Sequence, residues 1–219
     1  MSLSFTVARI FGIPLRIHAL FAALVIVCLA TGARAGRGEE VLVLLGILFG
    51  SVLLHELGHS LVARRLGARV VDITLWPLGG LSRMSSPASR PRDEAIVALA
   101  GPATNFVLFL AALPFGARVR IDAWATAPLD AFATVNAALA LFNLAPAFPM
   151  DGGRALRAAL AMRLGEPRAT VLAVRVGRIF TVAALIASLA VENLFLPVAI
   201  VSVFLFGQGW IELERVRAR

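Results

Sequence analysis

Between Leu42 and Val62 the chain reads LVLLGILFGSVLLHELGHSLV, an apolar run whose ionisable groups are His55, Glu56 and His59. A run of that length matches the roughly 17 to 25 residues with which an α-helix crosses the hydrocarbon core of a bilayer. Ionisable side chains inside such a helix cost free energy and are kept where they bind or react. The i, i+4 spacing of His55 and His59 puts both imidazoles on one helix face, where they can share a metal ion. Glu56 stands one residue round from the first histidine, where it can hold a water molecule and take its proton. At about 1.5 Å per residue, His59 lies roughly 8 Å and His55 roughly 14 Å from Arg64, where the charged flank begins. A metal held there lies below the membrane surface. A chance pair of interfacial histidines beside a snorkelling Glu is the bland alternative, and three ionisable groups within five residues weigh against it.

The rest of the chain fits that setting. Of its 219 residues 59% are hydrophobic, above the soluble average. Six apolar segments stand out: Ile17 to Thr31, Leu42 to Val62, Ile96 to Phe115, Leu129 to Ala145, Val171 to Ala190 and Leu194 to Trp210. The reading is an all-α polytopic membrane protein with six transmembrane helices, folded as a single transmembrane domain over residues 1–219. The net charge of +8 comes without a basic stripe interleaved with aromatics, so nucleic acid is not the expected partner. Assigning connections alternately to two sides gives one side Arg9, Arg16, Arg64, Arg65, Arg69, Arg83, Arg90, Arg92, the arginines from Arg154 to Arg178, and the tail from Arg215. The other side receives Arg34, Arg37, Arg118 and Arg120. The richer side is cytoplasmic by the positive-inside rule, which places both termini in the cytosol. The stretch Ala19 to Ala30 followed by Ala33-Arg34-Ala35 also has the look of a secretory signal, but keeping it as a helix produces the charge pattern just described. The single Cys28 lies in an apolar run and excludes an internal disulfide framework.

Two stretches read as non-helical. Residues 70–76, VVDITLW, alternate Val71, Ile73 and Leu75 against Asp72 and Thr74, then meet Pro77, Gly79 and Gly80, which predicts a short hairpin. Residues Ser4 to Ile17 have similar content, and the two can pair as a small sheet at the cytoplasmic face. The strand around Val71 to Leu75 could offer an edge to an unwound substrate segment. A catalytic zinc site usually has three protein ligands and an open position, so two histidines leave one ligand to find. Asp151 is the best candidate, in the run Asn143 to Gly153, NLAPAFPMDGG, where two prolines break the helix and two glycines permit tight backbone. It also fits an N-cap of a helix from Arg154 to Leu164, or a turn residue.

HELGH in an apolar helix, Ala100-Gly101-Pro102-Ala103-Thr104-Asn105 in the third segment and NLAPAFPMDGG after the fourth occur in that order. With the N-terminal Gly12-Ile13-Pro14-Leu15-Arg16-Ile17-His18, the chain resembles the site-2 protease family of intramembrane metalloproteases along nearly its whole length. The resemblance implies one zinc ion per chain held by His55, His59 and Asp151, with Glu56 as general base. It implies that Asn143 helps position substrate or stabilise the oxyanion; a polar residue closing a helix end is the other reading. Gly101 and Pro102 are expected to serve close helix packing and a kink, Asn105 an interhelical hydrogen bond, and His18 a structural or gating role. No PDZ insertion or CBS pair is recognisable, as in the compact six-helix branch.

The expected activity is hydrolysis of peptide bonds in or near transmembrane segments of membrane-anchored proteins. The resemblance suggests a membrane-bound transcription regulator, or a remnant trimmed by another protease, as substrate. The expected location is a prokaryotic cytoplasmic membrane, with lipid as the other partner. A non-proteolytic membrane metalloprotein that binds transmembrane helices is the rival, and an intact Glu56 argues against it, since binding needs no general base. A metal-ion transporter would line polar residues along a pore, whereas here they cluster at one depth.

Overall fold

The computed structural model describes residues 3–77, 79–85, 90–120, 127–191 and 195–217. Leu194, at which the sixth apolar segment is expected to open, and Arg219 lie outside them. In chain order the elements are β1 (Ser4–Ile10), β2 (Ile13–His18), α1 (Ala19–Arg34), α2 (Gly38–Arg65), β3 (Val70–Trp76), β4 (Gly79–Met84), α3 (Pro91–Ala112) with a 3-10 turn at Leu113–Phe115, α4 (Pro128–Asn143), α5 (Asp151–Leu164), α6 (Glu166–Ser188) and α7 (Phe195–Arg217).

The protein is mostly helical, and each expected apolar segment contains a helix. Three of these, α2, α3 with its 3-10 extension, and α6, are long and apolar enough to cross a membrane. Helices α1 and α4 have 16 residues each, short of the roughly 20 that a span takes. The opening of α6 moves from the expected Val171 to Glu166. Gly165, at φ 77°, ends α5, and Pro167 in the first turn opens α6. Arg168 therefore joins the helix, which already held Arg175 and Arg178 in the expected segment.

Burial is inverted relative to a soluble domain. Ser51, Ser60, Asn105, Asn136 and Thr170 are fully buried, while Val107, Ile179, Ile186 and Val203 face outward. Water selects the opposite arrangement; in lipid, polar side chains turn inward to find partners.

The chain divides into two compact units, Met1–Pro87 with Ala100–Ala140, and Ala88–Leu99 with Leu141–Arg219. The first holds a four-stranded sheet in the order β1-β2-β3-β4, the small sheet expected from pairing the N-terminal stretch with the hairpin. Phe11 and Gly12, both at positive φ, join β1 to β2, the geometry of a two-residue hairpin turn. Leu15, Arg16 and Ile17 of β2 pair in parallel with Ile73, Thr74 and Leu75 of β3, and β3 pairs antiparallel with β4. The middle of β3 is thus bonded on both sides and cannot serve as the open edge expected of it; the edge strands are β1 and β4.

The expected alternation along β3 also breaks at one point. A bulge between Val70 and Asp72 makes Val71 the extra residue, so Val71 is exposed and Asp72 is buried. Arg83 satisfies the buried carboxylate, its Nε donating to Asp72 Oδ1 at 2.8 Å and its Nη2 to Oδ2. These hydrogen bonds hold the Asp72 carboxyl below its ordinary range, against the opposing effect of burial. Ile13, Leu15, Ile73 and Leu75 pack with Val52 and Leu57 of α2 and Phe21 of α1 in one apolar core. Two polar contacts fasten α2 to the sheet: Arg64 Nη1 donates to Phe11 O at 2.6 Å, and the hydroxyls of Ser60 and Ser82 are 2.8 Å apart.

In the second unit, α5 opens at Asp151 after an extended Met150. Asp151 is therefore the first residue of the helix and not its N-cap. A side chain at Gly152 would come within 2.1 Å of Leu144 O, and one at Gly153 within 2.7 Å of the Ala147 carbonyl carbon. The two glycines let the proline-broken connection lie against the helix start. Arg157, further along α5, bonds Glu94 of α3 and, at 2.5 Å, Glu212 of α7, with its guanidinium 5.7 Å from the Phe148 ring centroid.

Candidate metal centre

The two histidines of HELGH are buried on α2. Their Nε2 atoms face each other at 3.1 Å, and the rings meet edge to face with centroids 4.7 Å apart. Two nitrogen lone pairs at that distance repel, so either a proton or a cation must sit between them. Two imidazoles bound to one zinc at about 2.0–2.1 Å with tetrahedral angles bring their nitrogens to about 3.3 Å, so the pair fits a shared zinc.

Helix α3 comes close enough to hold this pair. A side chain at Gly101 would stand 2.3 Å from His59 Nε2 and 2.6 Å from His55 Nε2. At Gly58 it would meet Thr104 Oγ1 at 2.3 Å and Ala100 O at 2.9 Å. Gly101 serves the close packing expected of it, and its lack of a side chain also makes room for both imidazole rings.

Asn105 makes the expected interhelical bonds, donating from Nδ2 to Ser51 O of α2 at 3.3 Å and to Asn136 Oδ1 of α4 at 2.8 Å. It does more than that: its Oδ1 lies 2.5 Å from His55 Nδ1. Asn136 in turn donates from Nδ2 to Ser51 Oγ at 3.0 Å and to Phe132 O at 2.9 Å. Sequence reading did not single out Asn136 or Ser51. The available signal was polarity alone, an Asn in the apolar stretch of α4 and a Ser one turn before His55.

Glu56 points to the sheet. A side chain at Gly80 in β4 would come within 2.3 Å of Glu56 Cγ and 3.0 Å of its Oε1, so Gly80 leaves room for the carboxylate against the backbone of an edge strand. In the second unit, Asp151 is buried in the first turn of α5, with one carboxylate oxygen accepting from Arg154 Nη1 at 3.2 Å. Asn143 is the last residue of α4. His18 caps α1, its Nδ1 accepting from Leu20 N at 3.2 Å, which gives it the structural role.

An integral membrane fold with a buried pair of imidazoles that could share a metal ion, and a carboxylate next to them on the same helix, is the class of protein these observations define. Comparison with known proteins names the family. The model of peptidase family M50 matches residues 43–120 and 113–184. A relative from Synechocystis is 34% identical over 226 residues, which cover 98% of this chain and 59% of the relative. A zinc metalloprotease of Methanocaldococcus jannaschii is 33% identical over 207 residues, 94% of this chain and 59% of that protein. The solved site-2 protease from the same organism superposes with a TM-score of 0.66 at 31% identity, covering 96% of this chain and 95% of that one. The chain belongs to peptidase family M50, the site-2 protease family, and is an integral membrane protein. It spans about three fifths of the length of these two curated relatives.

Proposed function

We propose that the protein is an intramembrane zinc endopeptidase that hydrolyses peptide bonds in or near transmembrane segments of membrane-anchored proteins. The observation that carries this reading is the buried imidazole pair, with Nε2 atoms 3.1 Å apart, next to a carboxylate on the same apolar helix. His55, His59 and Asp151, each buried, are the residues that would hold one zinc ion, a donor set typical of hydrolytic sites. When bound, zinc makes water acidic enough to be activated near neutral pH and polarises the carbonyl under attack.

Glu56 is the group that accepts the proton of the attacking water and delivers it to the leaving amine. Gly80 supports this role, since a peptide paired to the β4 edge would lie beside the Glu56 carboxylate. Asn143 would donate a hydrogen bond to the developing oxyanion. The reading includes six membrane-crossing helices in one domain over residues 1–219, with termini, sheet and metal toward the cytosol of a prokaryotic cell. The uneven arginine distribution supports that orientation. The family suggests a membrane-bound transcription regulator as substrate.

The test is incubation of the purified protein with a membrane-embedded substrate, with and without chelator, beside Glu56→Gln. The variant should keep its fold and zinc but lose about 10²–10⁴-fold in turnover, because an amide cannot take the proton. Cleavage within a few-fold of wild type, or cleavage indifferent to chelator, would overturn the assignment.

A further inference from the structure

The hydrogen bonds around His55 form a chain whose direction is forced. Phe132 O can only accept, so the atom of Asn136 facing it at 2.9 Å must be the amide Nδ2. Asn136 then turns its Oδ1 toward Asn105, which must answer with Nδ2 at 2.8 Å. The same Nδ2 reaches Ser51 O, a second group that can only accept. Asn105 is left with Oδ1 against His55 Nδ1 at 2.5 Å, and an oxygen there requires an N–H on the ring. Reversing either amide would set oxygen against oxygen at a carbonyl in the protein interior, where an unmade hydrogen bond costs about 1–3 kcal/mol.

We propose that Asn105 and Asn136 are positioning residues that lock His55 in the tautomer protonated at Nδ1, so that Nε2 presents its lone pair toward His59. Two main-chain carbonyls, relayed through two amides that are fully buried, determine which nitrogen can bind metal. An amide partner suits the task because it fixes ring orientation without adding negative charge beside the site, so the ligand set keeps the charge of Asp151 alone. The inference rests on the zinc reading given above.

The test uses the full chain, purified in detergent, with zinc affinity measured by competition against a chromophoric chelator. Asn105→Leu should weaken zinc binding by about 10–100-fold. Asn136→Leu should weaken it less, and the double variant should bind no worse than Asn105→Leu, because Asn136 acts through Asn105. A second readout needs no variant at position 105. The chain has three histidines, so nitrogen-15 histidine labelling, assigned with single His→Gln variants, reports which His55 nitrogen carries the proton in metal-free protein.

A proton on Nδ1 supports the proposal, and a proton on Nε2 overturns it. Unchanged zinc affinity in Asn105→Leu also overturns it. If Asn105→Leu does not fold, the wild-type tautomer decides. A wild type that holds no zinc, or a His55→Ala variant that holds it equally well, would remove the metal reading and this inference together. Normal zinc binding lost in His55→Ala but unaffected at Asn105 removes the inference alone.

Discussion

Two clusters of polar side chains stand out among the described residues, one in each unit, and they are made of different chemistry. In the first, Ser51, Asn105 and Asn136 are neutral and bond His55 in a directed chain. In the second, Arg157 is bonded by the carboxylates of Glu94 and Glu212. Neutral amides impose direction at low desolvation cost, which suits holding a ring in one protonation pattern. An ion cluster is strong but less selective about which oxygen meets which nitrogen, and its charges are costly to leave unpaired. It suits fastening α3, α5 and α7 together. On the proposed reading the first cluster orients a zinc ligand; the second ties together the helix on which Asp151 sits and its neighbours.

The largest expected effect is on the metal. His55→Ala should lose most of the zinc measured by elemental analysis, and Asp151→Ala should do the same if it is the third ligand of a three-residue set. Undiminished zinc in Asp151→Ala would move that ligand elsewhere and leave Asp151 as the partner of Arg154 in an ion pair of the first turn of α5.

Next in size is the ion cluster. Arg157→Met takes the cation from Glu94 and leaves Glu212 with the more exposed Arg215 alone, and should cost about 3 kcal/mol of stability, read from denaturant or thermal unfolding in detergent. Arg157→Lys should recover only part of this, since one ammonium cannot reproduce the guanidinium fork or its contact with Phe148. Full recovery by Lys would mean that charge alone matters there.

The smallest effect concerns the pair on the sheet. The Asp72 carboxyl is held below its ordinary value, so the folded state favours its ionised form. The stabilisation is fully present above the unfolded-state value near pH 4 and is lost as pH falls through the lower folded value. Arg83 is about half exposed, so solvent screening keeps the effect modest. Asp72→Asn should flatten the acid limb of the stability curve, and an unchanged limb would show that the pair contributes nothing.

Much of the fold and of the candidate site was legible because the signals are local. Apolar runs mark the helices, and HELGH places two imidazoles on one face by helical periodicity alone. Gly152 and Gly153 beside Pro146 and Pro149 announce tight backbone before α5. Less legible was the register of β3, where the bulge at Val71 inverts the burial of its neighbour. Whether β3 or β4 forms the edge was equally hidden, since that depends on pairing with β2 more than fifty residues earlier.

The sequence by itself determined that the chain is a helical membrane protein with two histidines on one face of an apolar helix and a carboxylate next to them. Those facts follow from hydropathy and a repeat of 3.6 residues, which involve only neighbours along the chain. Tertiary structure alone decided what surrounds His55: Asn105 is 50 positions away, Asn136 a further 31, and Asn136 meets Ser51 across 85. No periodicity links such positions. Their roles arise because packed helices leave each buried donor and acceptor few partners, and the carbonyls that can only accept orient the amides that turn toward them.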